Sequence, residues 1–153
     1  MNNNMTTETL AIAVWADISE ELTDQAAALA IHRGEITYDA IVDAQNEIDG
    51  EDYLVLTDEQ ADERCKEEIE EMVWAFSPSF LQAHTGVAAD AITKIQEMCE
   101  GANEPLTAMI KDFDYFVEDA INCDGRGLFL AGYDHRENEV TYNGTTYYIY
   151  RRN

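Results

Sequence analysis

Residues 140–150 have the sequence Val-Thr-Tyr-Asn-Gly-Thr-Thr-Tyr-Tyr-Ile-Tyr, and this stretch decides the fold class of the chain. Asn143 and Gly144 lie between two runs of β-branched and aromatic residues, and both tolerate the positive φ that a two-residue type I′ turn requires. We therefore predict a hairpin with strands over 140–142 and 145–150. Residues 128–133 can supply a third strand, which would make this segment an antiparallel β-meander.

Before Gly127 the apolar residues recur at the spacing of helices. Residues 57–60, Thr-Asp-Glu-Gln, have the form of a capping box that opens a helix ending at Ser77-Pro78. Two further amphipathic helices are predicted over 87–100 and 105–122. The fold class expected is α+β, with three main core helices and a C-terminal antiparallel sheet. The core face of the first helix is predicted to hold Ala61, Cys65, Ile69, Met72, Val73 and Phe76.

The first third of the chain predicts a helical N-terminal extension. Alanine-rich helical patterns cover 7–21 and 24–33, and a shorter one covers 38–46. The polar segment 49–52 is the expected boundary, which divides the chain into a 1–50 extension and a 51–153 α+β core domain. Tyr53-Leu-Val-Leu56 is a short strand-forming run that can add to the sheet. The paired helices around Gly34 do not predict DNA binding, because the second carries only acidic charges.

The charge of the chain is strongly negative, since 9 Lys and Arg stand against 32 Asp and Glu, a net charge of −23. Hydrophobic residues make up 46% of the sequence, which indicates a folded core rather than a disordered acidic tail. A protein this acidic is repelled by nucleic acid and by anionic membranes, so we expect neither as a direct partner. The apolar run 10–16 is too short to span a bilayer and no positive charge precedes it, so a cytoplasmic location is expected.

The acidic residues are concentrated on the predicted helices. Residues 47–71 hold twelve of them against two basic residues, and residues 97–124 hold eight against one. In the first core helix four glutamates recur every fourth residue, which places them about 6 Å apart along one face. The candidate partner-binding residues are Glu59, Glu63, Glu67, Glu70, Glu71, Asp112, Asp114, Glu118 and Asp119.

No residue pattern identifies a reaction, a cofactor or a metal site. Cys65, Cys99 and Cys123 form no Cys-x-x-Cys pair, and no Cys/His cluster has ligand spacing. The acidic segment 49–52 lacks the order of an EF-hand loop. One mixed polar cluster, 124–127 with 133–136, is compatible either with a catalytic site or with turn chemistry.

From residue 53 onward the order of motifs resembles a family of small uncharacterised bacteriophage and prophage proteins. The resemblance rests on Tyr-Leu-Val-Leu-Thr-Asp-Glu-Gln-Ala-Asp at 53–62, an aromatic segment at 73–86, and an ending with Asp-Gly-Arg-Gly at 124–127, Gly-Tyr-Asp at 132–134 and Tyr-Tyr-Ile-Tyr-Arg at 147–151. Leu128 and His135 depart from the His and Gly that the family often has there. The resemblance implies a phage origin and a host cytoplasm, and it implies no activity.

Together these observations predict an acidic, non-enzymatic protein that imitates a phosphate backbone and blocks a basic, nucleic-acid-binding host protein, such as a defence nuclease. A structural or regulatory interaction module with incidental acidity is the alternative, and an enzyme is the third possibility. The expected partner is thus a basic protein of the host.

Overall fold

The computed structural model describes residues 22–153 and confirms the α+β class. The helix predicted over 7–21 lies outside the described residues. Eight α-helices and one three-stranded antiparallel sheet form the described part of the chain. Its elements are α1 (Asp24–His32), α2 (Tyr38–Asp49), β1 (Tyr53–Leu56), α3 (Asp58–Glu71), α4 (Pro78–Thr85), α5 (Ala89–Gln96), α6 (Asn103–Met109), α7 (Phe113–Asp124), α8 (Arg126–Leu130), β2 (Asn138–Tyr142) and β3 (Thr145–Arg151), with 3₁₀ turns at Val73–Ala75 and Cys99–Ala102.

The chain divides into two compact units. The sheet unit contains residues 22–62 and Arg126–Asn153, and the helical unit contains Glu63–Gly125. The division passes through helix α3 and differs from the predicted boundary at residue 50. The difference arises because α1 packs on the sheet: its buried alanines and Leu29 share one apolar core with Val55, Tyr147 and Ile149.

In the sheet unit the strand order is β1-β3-β2, and the predicted hairpin is confirmed. Tyr142 pairs with Thr145 across the turn, where Asn143 and Gly144 have φ of 51° and 79°. The predicted third strand over 128–133 is wrong, because residues 126–130 form helix α8. β1 is the third strand instead: it pairs with Tyr148–Arg151 and occupies the second edge of β3.

Helices α1 and α2 are fixed by matching caps. Thr23 and Thr37 each accept a hydrogen bond from the third residue of the following turn. The Thr23 backbone N–H and hydroxyl both donate to Gln45 Oε1, at 3.0 and 2.7 Å. This buried amide therefore ties the start of α1 to α2.

In the helical unit the predicted long helix over 105–122 is wrong, because it is two helices, α6 and α7. The chain is extended at Ile110, and the Lys111 N–H donates to the His84 carbonyl at 3.1 Å. Asp112 then caps α7 by accepting from the Tyr115 N–H at 3.1 Å. The helix predicted over 87–100 also ends early, at Gln96. The core of this unit contains the fully buried Ile69, Leu81, Ile92, Leu106 and Phe116.

Candidate functional site

Helix α3 carries the acidic row, and the predicted capping box sets its start. The Thr57 N–H donates to Gln60 Oε1 at 3.1 Å, and the Gln60 N–H donates to Thr57 Oγ1 at 3.3 Å. These two bonds fix where the helix begins and therefore which face of α3 points inward. Ala61, Cys65, Ile69 and Val73 are buried as predicted. The predicted end of the helix at Ser77-Pro78 is wrong, because α3 ends at Glu71, and Met72 and Phe76 beyond it are only half-buried.

The opposite side of α3 presents a continuous row of carboxylates, as predicted. Glu59, Glu63, Glu67, Glu70 and Glu71 are all exposed. None of the five forms an ion pair with a residue that the structure describes. We call these five residues the acidic ladder.

Both basic residues of α3 are engaged by acids outside the ladder. Arg64 Nε lies 3.4 Å from Glu68, and Lys66 Nζ lies 2.9 Å from Asp114 on α7. The hydrogen bond to Asp114 raises the pKa of Lys66, and the charges of Glu63 and Glu70 add to the rise. The carboxylates of the ladder thus remain uncompensated by direct pairing.

The second predicted group of acids, on α7, is largely committed to internal contacts. Asp112 caps the helix, Asp114 holds Lys66, and Asp119 Oδ2 lies 2.7 Å from His84 Nε2. The fourth acid of this group, Glu118, makes no hydrogen bond or ion pair within residues 22–153. The Lys66–Asp114 contact brings α7 beside α3, so the two predicted groups do meet within the helical unit.

The His84–Asp119 pair was not predicted from the sequence. The His84 side chain is only 5% exposed and contacts the rings of Phe80, Tyr115 and Phe116 at 4.8–5.3 Å between centroids. His84 and Asp119 are 35 positions apart in the sequence, so no local spacing could have revealed the pair.

A buried His–Asp pair can serve as a general base toward a hydroxyl, a thiol or a water molecule beside the imidazole. In the described part of the chain no hydroxyl or thiol hydrogen-bonds to His84. Cys123 Sγ lies 3.7 Å from the other oxygen of Asp119. Partial desolvation and the charge of Asp119 raise the pKa of the Cys123 thiol, which is the opposite of activation. The pair packs within the aromatic core, and no side-chain nucleophile among the described residues accompanies the imidazole.

One residue of the predicted mixed polar cluster, Arg126, forms an ion-pair network with residues outside that cluster. Its guanidinium contacts Asp58 Oδ1 at 2.8 Å, Asp62 Oδ1 at 3.1 Å and Glu137 Oε2 at 2.9 Å. The Tyr148 ring lies 4.6 Å away, measured from the guanidinium carbon to the ring centroid. We call these five residues the Arg126 network.

Arg126 keeps a permanent positive charge at the centre of its network. Desolvation alone would lower the pKa of Arg126, but the hydrogen bonds to Glu137 and Asp58 outweigh it and raise the pKa further above its ordinary value. Arg126 therefore stays charged, and each of its three guanidinium nitrogens already donates to a carboxylate. The turn interpretation of this segment is supported in part: Asp134 Oδ1 accepts from the Arg136 N–H at 3.0 Å, and Gly125 has φ of 82°.

Residues 22–153 contain no group of three or more His, Cys, Asp or Glu that could hold a metal ion. Among the described helices, none has the length and apolar character needed to cross a bilayer. Comparisons with known protein families, with curated proteins and with solved structures found no match to this chain.

Proposed function

We propose that the protein binds a basic, nucleic-acid-binding host protein and blocks the surface that holds the phosphate backbone. The observation that carries this proposal is the acidic ladder: five exposed carboxylates on one capped helix, none of them ion-paired within the described residues. Proteins that bind nucleic acid present Lys and Arg to a regular anionic array, and much of their affinity is independent of base sequence. A helix that carries such an array can compete for the same groove.

The energetic cost of the ladder supports a binding role. Glutamates four residues apart on a helix repel one another by a few tenths of a kcal/mol per pair. Glu59, Glu63, Glu67 and Glu71 form three such pairs. A mixture of Lys and Glu on this face would have removed the repulsion and even stabilised the helix, so acidity itself is the property that the surface presents.

The setting that we propose is the cytoplasm of a bacterial host, with a phage as the source of the protein. This part rests on the resemblance described above and on the charge, which disfavours direct contact with nucleic acid or anionic lipid.

A second candidate is an interaction module whose acidity is incidental. The contacts of Asp112, Asp114 and Asp119 favour it, because they show that some acidic residues serve the fold itself. An enzyme remains the third candidate, and no hydroxyl or thiol among the described side chains hydrogen-bonds to His84 in support of it.

The test replaces Glu59, Glu63, Glu67 and Glu71 together with Gln, which preserves helix propensity and shape. The matched control removes four exposed acids of the sheet unit with Glu35→Gln, Asp39→Asn, Asp43→Asn and Glu139→Gln, so both variants have the same net charge. Each protein is immobilised and exposed to host lysate, and the captured proteins are identified and eluted with a short DNA duplex.

We expect the wild type and the control to capture the same basic protein and the DNA duplex to release it. The ladder variant should capture at least tenfold less, since about 1.4 kcal/mol lost from four charges corresponds to that factor. Equal capture by the ladder variant would show that these residues do not contribute to the interface. A captured partner that binds no nucleic acid would favour the incidental-acidity candidate.

A further inference from the structure

The sheet unit contains a pocket whose lining differs in charge from the rest of this acidic chain. Its volume is ≈ 200 Å³, and it lies where α1 ends beside the sheet. The lining residues that matter here are His32 and Arg33 from the end of α1, Tyr53 from β1, Asp134 and Asn138 from the segment before and at the start of β2, and Arg151 from β3.

Arg151 is held in the pocket by aromatic rings and by the main chain of Asn153, and no Asp or Glu side chain of the described residues pairs with it. Its guanidinium lies 3.8 Å from the Tyr133 ring centroid and 6.0 Å from that of Tyr53, its cross-strand partner. Its Nε donates to the Asn153 carbonyl at 2.8 Å. Its two terminal amino groups make no hydrogen bond or ion pair with any residue that the structure describes.

A second guanidinium faces the same aromatic ring. Arg33 lies 4.7 Å from the Tyr53 ring centroid and forms an ion pair with Glu47 through one terminal nitrogen. The hydrogen bonds to Tyr53 and Glu47 raise its pKa despite desolvation, which lowers it, so the side chain is always charged. The planar fork of Arg has five donors, so one carboxylate leaves several of them unused.

Terminal amino groups of an arginine that have no Asp or Glu partner among the described residues, as in Arg151, are unexpected in a chain with 32 acids and 9 basic residues. Asp134 lines the same pocket without pairing with Arg151, and stacking on tyrosine leaves the N–H groups of Arg151 available to an external acceptor. The planar guanidinium matches carboxylate and phosphate oxygens in a bidentate arrangement.

We propose that this pocket binds an anionic oxygen group, a phosphate or a carboxylate, through the terminal amino groups of Arg151 with Arg33 and the Asn138 amide beside it. The volume admits one such group and a small substituent. Asp134 and the carbonyl end of α1 oppose an anion, and Glu47 already pairs with Arg33. The anion is therefore bound through the donors of Arg151 and not through an excess of local positive charge. The proposal is independent of the acidic ladder.

The test is an NMR titration of the full chain with inorganic phosphate and, separately, with acetate. The ionic strength is kept at about 0.15 M, so that the charge of the whole chain is screened beyond roughly 8 Å. The variants are Arg151→Gln and Arg151→Lys, and the control is Arg136→Gln, an exposed arginine outside the pocket. Circular dichroism confirms that each variant is folded.

We expect saturable shifts of the backbone amides of Arg33, Asn138 and Arg151 with at least one probe, and the probe that binds more tightly identifies the anion. Arg151→Gln should weaken binding about tenfold or more, Arg151→Lys should weaken it less, and Arg136→Gln should leave it unchanged. The proposal fails if neither probe gives saturable shifts, if Arg151→Gln binds like the wild type, or if the Arg136→Gln control loses binding equally.

Discussion

Arg126 joins three separate segments of the sheet unit through one side chain. It contacts the first turns of α3 through Asp58 and Asp62, the segment before β2 through Glu137, and β3 through the Tyr148 ring. The guanidinium is 10% exposed, whereas Asp58 and Asp62 are more than half exposed. Water therefore screens the two aspartates, and Glu137 is the partner that contributes most.

We expect Arg126→Gln to lower the free energy of unfolding by about 2 kcal/mol, because three carboxylates lose their common cation. Urea denaturation monitored by far-UV circular dichroism measures the loss. Arg136→Gln is the control and should change stability by less than about 0.5 kcal/mol, since it removes an exposed side chain without an ion pair in the described residues. Equal stability of the two variants would show that solvent screening cancels the stabilisation by the Arg126 network.

The role of Arg126 could not have been predicted from the sequence. Its partner Asp58 lies 68 positions away, and the Asp-Gly-Arg-Gly segment by itself indicates only a turn. The same holds for the pocket around Arg151, whose lining residues come from four segments. The exposure of the glutamate row was predictable because helical spacing alone sets it.

At the level of elements, local sequence signals correctly predicted where a helix begins and where the hairpin turns. Contacts between distant residues decide where the predicted long helix is interrupted. The Thr57–Gln60 box and the Asn143-Gly144 turn depend on neighbouring residues, and both are confirmed. The end of α6 depends instead on the bond from Lys111 to the His84 carbonyl, which no sequence window contains. Asp112 was the sequence signal for a new helix starting at this point, since aspartate is a strong N-cap residue.

Helix α8 occupies the segment predicted as a strand, and Gly127 permits its close approach to the following loop. A Cβ on Gly127 would lie 2.5 Å from the His135 carbonyl oxygen and 3.0–3.1 Å from two further backbone atoms. Backbone atoms cannot move aside as a flexible side chain can. Gly127 is therefore required by space, whereas its neighbour Gly125 has positive φ and open space around it.

We expect Gly127→Ala to destabilise the protein by about 1–3 kcal/mol, because the loop at 135–136 must shift to admit the methyl group. The matched control is Gly101→Ala, where the nearest atom to the new Cβ is Met98 Cβ at 3.7 Å and φ is not positive. This control should be neutral or slightly stabilising. Thermal unfolding of both variants measures the difference, and a Gly127→Ala protein as stable as Gly101→Ala would contradict the close contact.

At the level of the whole molecule, the net charge of −23 lowers the stability of the fold and favours binding to a basic partner. Self-repulsion of the folded chain opposes compaction, and salt screens it. We therefore expect the free energy of unfolding to rise as salt increases from about 0.02 to about 0.3 M. The four-Gln ladder variant, with net charge −19, should be about 0.5–1 kcal/mol more stable than the wild type at low salt, and the gap should narrow as salt is added.

Added salt should weaken binding to a basic partner, although it stabilises the fold. Association steered by the ladder is fast at low salt and slows steeply as screening increases, while dissociation changes less. Surface plasmon resonance with the captured partner, over the same salt series as urea denaturation, compares the two responses directly. A ladder that serves binding predicts a variant that is more stable yet associates more slowly. Association rates that are equal for wild type and variant at every salt concentration would show that the repulsion within α3 serves no interface.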